Sequence, residues 1–331
     1  GKVSYLPQCP RPASGARVHQ IRMSLRQSAT NVAAQWACEQ HKEFSLMSRS
    51  KTSRSTDAAA NPAGSPSLIF VGSDKGGIGK SFVTALAADL LDVAGIAPRI
   101  VQIDEQERLP ALYPDRVTTV SLASMDDVRR DPGAIVAAFD PLYAAIERTI
   151  ADRVPTIVDI GGPQQTAVEE YCGLVDLDAD LVEAGISAVW LVPATAEPEA
   201  MRAAVRTSAA IQRVLPSVRR TLILNERDGN FRFYPGSPAD RIWSTEIKPL
   251  IETIASARLP AIAPGSWAPF ETAGKRFVDV VAADIPQIQR WTGRSRPAAK
   301  VLRGDVAFFL SAAQGALGNL IGLSHGGSDA Q

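Results

Sequence analysis

Residues 74 to 81 read Asp-Lys-Gly-Gly-Ile-Gly-Lys-Ser, a run in which three glycines, two lysines and a hydroxyl crowd into one short loop. Gly76, Gly77 and Gly79 let the backbone turn its N–H groups toward a common point, because a residue without Cβ enters left-handed conformations freely. The run is preceded by Leu68–Gly72, apolar enough for a buried strand, and followed from Ser81 to Leu91 by an amphipathic helix pattern. A helix N-terminus adds unpaired amides and the positive end of its dipole, so the loop suits a polyphosphate. Lys80 is placed to reach the β- and γ-phosphates, with Ile78 and Phe82 flanking the bound chain. The Ser81 hydroxyl completes the oxygen shell of Mg²⁺, a hard cation. A tight strand-to-helix turn with incidental lysines is the blander reading, but few other structures need this arrangement.

The segment Lys75-Gly-Gly-Ile-Gly-Lys80-Ser81 resembles the deviant Walker A motif of the ParA/MinD group of partition and positioning ATPases, which carries a second, signature lysine at the place of Lys75. Asp74 stands where the simple Gly-x-x-x-x-Gly-Lys pattern has its first glycine. The resemblance implies ATP as nucleotide with Mg²⁺, and a homodimer formed on ATP binding in which Lys75 crosses to the partner's nucleotide. It covers roughly residues 67 to 263 and fades beyond Pro264.

Other polar positions follow from the same resemblance. Arg99-Ile-Val-Gln-Ile-Asp104-Glu105-Gln106 resembles the second strand and switch I, so Asp104 is expected to polarise the attacking water. A carboxylate at a strand's C-terminal edge can accept a water proton or fix its orientation, although Asp also caps turns. Gln102 occupies a place where many relatives carry another Asp, which departs from the Mg²⁺ surroundings of the family. Pro155-Thr-Ile-Val-Asp159-Ile-Gly161-Gly162-Pro163 matches a Walker B strand. Asp159 is then a metal residue acting through water, and Gly161 and Gly162 form switch II, which senses the γ-phosphate through its backbone. A tight turn would use the same Gly-Gly-Pro. Leu222-Ile-Leu-Asn225 resembles the family's strand ending in a base-contacting Asn, whose amide both donates and accepts; Asn is equally an ordinary turn residue. Pro193 either lines this pocket or ends its strand. Adenine and guanine are not separated by these residues.

These groups must be carried by a scaffold. Short apolar runs alternate with helical patterns, the signature of βαβ units around a parallel sheet. Candidate strands are Leu68–Gly72, Arg99–Ile103, Thr156–Ile160, Ala188–Val192, Thr221–Leu224 and Ala261–Ala263, and candidate helices include Lys80–Ala94, Glu197–Val214 and Ser244–Ser256. The expected fold is α/β, a P-loop NTPase three-layer α/β/α domain over residues 67–331 with a mainly parallel central sheet. Residues 1–66 read as a disordered basic leader and linker, with nine basic residues against three acidic ones, so that it carries +6 and the remainder −6. An organelle presequence or a nucleic-acid-binding arm has the same composition, and Met23 or Met47 are candidate natural starts.

The chain of 331 residues has three cysteines, Cys9, Cys38 and Cys172, without the spacing of a metal site or disulfide framework, which suits the cytoplasm. Too few thiolates lie outside the leader for an iron–sulfur carrier. Arg290, Arg294, Arg296, Lys300 and Arg303 gather without an intervening acid, a footprint for nonspecific DNA binding or a solvated connector between helices. Val306–Leu323 contains no charge, which favours core packing over membrane attachment. The functional expectation is a magnesium-dependent ATP hydrolase acting as a switch in DNA or plasmid partition or mobilisation, stimulated by an unidentified activator protein. A MinD-like positioner of a protein assembly at a membrane, and an ATP-dependent metabolic enzyme on the same scaffold, are the other readings.

Overall fold

Seven strands lie side by side in the order β3-β2-β4-β1-β5-β6-β7, every neighbouring pair parallel. The computed structural model describes residues 65–104, 106–122, 131 and 133–323, all within the compact unit Ala58–Gln331. The leader expected over residues 1–66 lies outside the described residues except at Ser65 and Pro66. The strands are β1 Leu68–Val71, β2 Arg99–Ile103, β3 Val117–Thr119, β4 Thr156–Ile160, β5 Ala188–Ala194, β6 Arg219–Asn225 and β7 Ala255–Leu259. The longer helices are α1 Lys80–Val93, α2 Asp140–Asp152, α3 Gln165–Leu174, α4 Pro198–Val214 and α5 Arg296–Leu317.

Alternation along the strands divides the core into two halves. In β1, Leu68 and Phe70 join one cluster with residues of α2, α3 and α4, while Ile69 and Val71 join another with α1 and α5. Successive side chains of a strand face opposite sides, so a wholly apolar run such as Leu-Ile-Phe-Val demands helices on both faces. The result is three layers, with Phe70 stacked on Trp190 of β5 at 4.6 Å between ring centroids.

β2 and β4 begin and end as the sequence predicts, and β5 and β6 run two or three residues longer. Pro193 does not end β5: the strand continues to Ala194. Leu191 O accepts from Gly72 N, at the end of β1. Amides alternate sides along a strand, so residue 193 faces the same way, past the last residue of β1, where no ladder donor is needed. The seventh strand is Ala255–Leu259, not Ala261–Ala263. Pro260 and Pro264 bracket the predicted segment and restrict it, whereas an edge strand needs a partner on one side only. The helix expected at Ser244–Ser256 is a π-helical turn, Trp243–Ile247, followed by Lys248–Thr253, and its last two residues belong to β7. β3 was not anticipated, since its three residues are half-buried or exposed and show no apolar run.

The uncharged C-terminal stretch packs as a core helix, burying Val306, Phe309, Leu310, Ala313 and Leu317. Among the described residues no helix is long and apolar enough to cross a membrane. This layer is fastened to α1 by a buried charge cluster. Asp89, fully buried on α1, accepts from Arg276 Nε at 2.8 Å and from Tyr113 Oη at 2.7 Å, and Arg276 also meets Asp92. The Arg276 guanidinium lies over the Tyr113 ring, 4.4 Å from its centroid.

Burial pushes the Asp89 carboxyl upward, against the pull of Arg276 and the Tyr113 hydroxyl. Removing Arg276 leaves an uncompensated buried carboxylate, so Arg276→Ala should lose about 3–5 kcal/mol at neutral pH. A raised folded pKa means that the protonated form suits the native state, so the loss should shrink at acid pH as Asp89 takes up a proton. Urea denaturation of both proteins at pH 7 and pH 4 checks both the size and the sign.

Candidate functional site

The loop between β1 and α1 sits at the C-terminal edge of the sheet, where β1 lies between β4 and β5. Gly79 is the residue before α1, at φ 91°, and Gly77 has φ 75°, both left-handed. A Cβ at Gly79 would also stand 2.7 Å from Asn225 Nδ2, so glycine is required there twice over. A Cβ on Gly76 or Gly77 would meet nothing within 4 Å, which leaves that face of the loop open to a ligand.

The loop is held from two sides. Asn225, buried at the end of β6, donates from Nδ2 to Ile78 O at 3.0 Å, and its Oδ1 accepts from Arg227 N at 3.3 Å. Here the amide steadies the loop and caps the turn after β6. On the opposite side Asp74 meets α4: its N–H donates to Thr207 Oγ1 at 3.2 Å, and its carboxylate accepts from Thr207 Oγ1 and Arg206 Nε, both at 3.2 Å. An aspartate in place of the usual first glycine thus ties the loop to a neighbouring helix. Lys75 reaches Glu197, with Nζ 3.4 Å from Oε1, in a pair whose lysine is half-buried and whose glutamate is exposed. Solvent-accessible pairs of this kind contribute about 0–1 kcal/mol, so Lys75 is readily released.

Below the loop lie two buried opposite charges. Lys80 is 8% exposed and donates from Nζ to Lys75 O at 2.7 Å. Burial pushes its ammonium down, opposed by the attraction of Asp159, Asp104 and Asp74. Asp159, at the end of β4, accepts from Ser81 Oγ at 2.8 Å and from Thr84 Oγ1 at 2.7 Å, and burial pushes its carboxyl up. Its place follows from register: Asp159 pairs with Val71, the last residue of β1, so it meets the first turn of α1. Thr84 was not among the expected residues, although its position one turn beyond Ser81 on the same helix face is a signal for it.

This donor set fits Mg²⁺ bound with a nucleotide. Lys80 spends its hydrogen bond on a loop carbonyl and so can turn to an anion, and the carboxylate and hydroxyl of Asp159 and Ser81 are hard oxygen donors of the kind Mg²⁺ takes. Among the described residues no group of three or more His, Cys, Asp or Glu side chains forms a metal cage. An ion held by Ser81 and Asp159 would take its remaining oxygen ligands from a bound phosphate or water.

Strands β2 and β4 bring the residues expected of the two switches to this edge. Gln102 is in register with Asp159 across β2 and β4, but its buried amide serves the backbone, donating from Nε2 to Asp104 O at 2.9 Å and to Gln106 O. Gln106 Nε2 in turn donates to Asp104 Oδ2 at 3.1 Å. Glu105, between them, lies outside the described residues. After β4, Gly162 packs on the loop so closely that a Cβ there would stand 3.1 Å from Gly76 N. Lys75, the loop residues 76–81, Asp104, Asp159, Gly161, Gly162 and Asn225 are thus gathered at one edge. Phe82 is turned away into the aromatic layer, 5.2 Å from Phe277 and 5.7 Å from Phe309 between centroids.

The basic cluster is apart from this edge. Arg290 is in the last turn of the helix Ile285–Thr292, Gly293 ends that helix in the left-handed region, and Arg296, Lys300 and Arg303 lie on the first turns of α5. Arg294, Arg296 and Lys300 are exposed, whereas Arg303 turns inward to donate to Val281 O at 3.2 Å. Trp291 packs under Lys275, whose Nζ is 4.9 Å from the ring centroid.

No family model and no curated protein matches the sequence. Solved structures do. The MinD cell division protein of Aquifex aeolicus is similar over 74% of this chain and 96% of its own, with 14% identity and a TM-score of 0.39. A plasmid partition protein from Borrelia burgdorferi is similar over 75% and 99%, at 12% identity and a TM-score of 0.39. A ParA family ATPase from Chlorobium tepidum TLS matches over 73% and 98%, at 13% identity and a TM-score of 0.39. Likeness at this level concerns the fold alone, and the chemistry rests on the geometry of the loop.

Asp159 offers a direct check on that geometry. Its carboxylate is held in a buried site that resists ionisation, so neutralising it should relieve strain in the ligand-free protein. Asp159→Asn is expected to raise the thermal midpoint by about 2–4 °C per kcal/mol relieved, while magnesium no longer strengthens nucleotide binding. Thermal melts with and without Mg-ATP read both effects, and a lowered midpoint in the ligand-free variant contradicts the assignment.

Proposed function

We propose that this chain is a magnesium-dependent ATPase that closes into a nucleotide-sandwich dimer and works as a switch in DNA or plasmid partition or mobilisation. The observation that carries the chemistry is the buried Lys80 beneath an open glycine loop, beside Asp159 and its two hydroxyl partners. In this reading Lys80 leaves the Lys75 carbonyl for the terminal phosphates. The amides of residues 76 to 81 wrap the chain of phosphates, and Ser81 and Asp159 hold Mg²⁺, Asp159 through water. Bound magnesium supplies charge neutralisation for the leaving group.

Asp104 orients the attacking water, steadied by Gln106 and by the hold of Gln102 on its backbone. Gly161 and Gly162 rest against the loop, so loss of the terminal phosphate is felt by switch II without any intermediary. The weak Lys75–Glu197 pair supports release of Lys75 toward a partner's nucleotide. Asn225 is the base-contacting residue in this reading, which requires its amide to exchange the Ile78 carbonyl for the base. The exposed cations Arg290, Arg294, Arg296 and Lys300 support a contact to DNA phosphates, with Arg303 contributing only if it leaves the Val281 carbonyl.

The test follows ATP turnover and oligomeric state in the same samples, with and without duplex DNA. Lys80→Ala should abolish binding or turnover. Asp104→Ala should still bind ATP, lose turnover by about 10²-fold or more, and accumulate as an ATP-bound dimer. Normal turnover by the Asp104 variant removes that residue from its role, and turnover indifferent to DNA counts against the partition reading.

A further inference from the structure

We propose that Gln164 is a second catalytic residue of the hydrolytic step, its side-chain carbonyl holding the attacking water together with Asp104; this rests on the ATPase reading above. Gln164 follows the Gly161-Gly162-Pro163 turn and immediately precedes α3. The turn is tight: Gln164 N donates to Gly161 O at 3.2 Å, and Gln165 N to Gly162 O at 3.3 Å. This folds the Gln164 side chain back over Gly161. A Cβ added to Gly161 would collide with Gln164 Oε1 and stand 3.0 Å from Asp104 Oδ2, so both oxygens lie beside the same face of Gly161.

Gln164 Oε1 is buried and has no hydrogen-bond partner among the described residues. An amide carbonyl left in that state costs about 1–3 kcal/mol, which a held water relieves. The neighbouring residue has a different task. Gln165 also has an unpartnered Oε1, but it is fully buried against Gly72, and its Nε2 is held by Glu169 Oε1 at 2.8 Å. Gln164 is therefore the glutamine that faces Asp104, next to the glycine that touches the phosphate loop.

Two acceptors for two hydrogens aim the water's lone pair. The water oxygen forms a bond to the terminal phosphorus, while the bridging P–O bond breaks and its electron pair leaves with the nucleoside diphosphate. One proton passes to the Asp104 carboxylate and then to the product phosphate. The other stays on the attacking oxygen, hydrogen-bonded to Gln164 Oε1, and Gln164 itself ends unchanged. Gln106 donates to Asp104 Oδ2, the carboxylate oxygen beside Gly161, and so holds its orientation.

The experiment compares full-length wild type with Gln164→Ala, Gln164→Glu and Asp104→Ala, measuring ATP turnover and the Kd of a fluorescent ATP analogue with Mg²⁺. Gln164→Ala should lower kcat by about 10²-fold, with Kd within about twofold and an unchanged thermal midpoint. Gln164→Glu sets a second carboxylate against Asp104 and should move the acid limb of the kcat profile to higher pH, an effect that loss of packing does not produce. An unchanged kcat in Gln164→Ala beside an inactive Asp104→Ala overturns the role of Gln164 and leaves the ATPase reading standing. A fall of kcat and affinity in step overturns it too. Wild type that neither binds the analogue nor hydrolyses ATP sinks the underlying reading itself.

Discussion

Two opposite charges, Lys80 and Asp159, are buried at one edge of the sheet, and burial disfavours the charged form of both. A charge out of water is tolerated only with partners, and those here are one loop carbonyl and two hydroxyls. The rest of the fold serves this arrangement. Asp159 meets the first turn of α1 because β4 pairs with β1 in register at Val71. Lys80 opens α1, whose apolar face packs with β1 in one core cluster.

The loop is constrained from outside as much as from within. Left-handed Gly77 and Gly79 store backbone conformations that other residues resist. Asn225 clamps Ile78 from β6 and Asp74 clamps onto α4, so one strand end and one helix share the task. Movement of α4 or of the β6 turn is thereby coupled to the loop. On the far side, Arg276 ties α1 to Tyr113, in the chain beyond Asp104 and Gln106, and to the C-terminal layer.

Much of this was legible from residue types. The run from Asp74 to Ser81 declared its strand, loop and helix because glycine freedom and apolar periodicity are local properties, and β2 and β4 were delimited for the same reason. The failures share a cause. β7 is half-exposed and weakly apolar, so flanking sequence could not single it out from Ala261–Ala263, and β3 has no apolar pattern at all. Pro193 looked like a terminator because nothing in the sequence says that β1 stops short beside it.

The sequence by itself determined the glycine-rich loop, the two-faced strands and the carboxylates at strand ends, since each depends on neighbours a few residues away. Tertiary structure alone decided what those groups meet. That Thr84 shares Asp159 with Ser81, that the Gln102 amide donates to the backbone after β2, and that Gln164 lies beside Asp104 depend on how the chain folds. Such contacts join residues dozens of positions apart or fold a turn back on itself, and side-chain chemistry alone carries no distance.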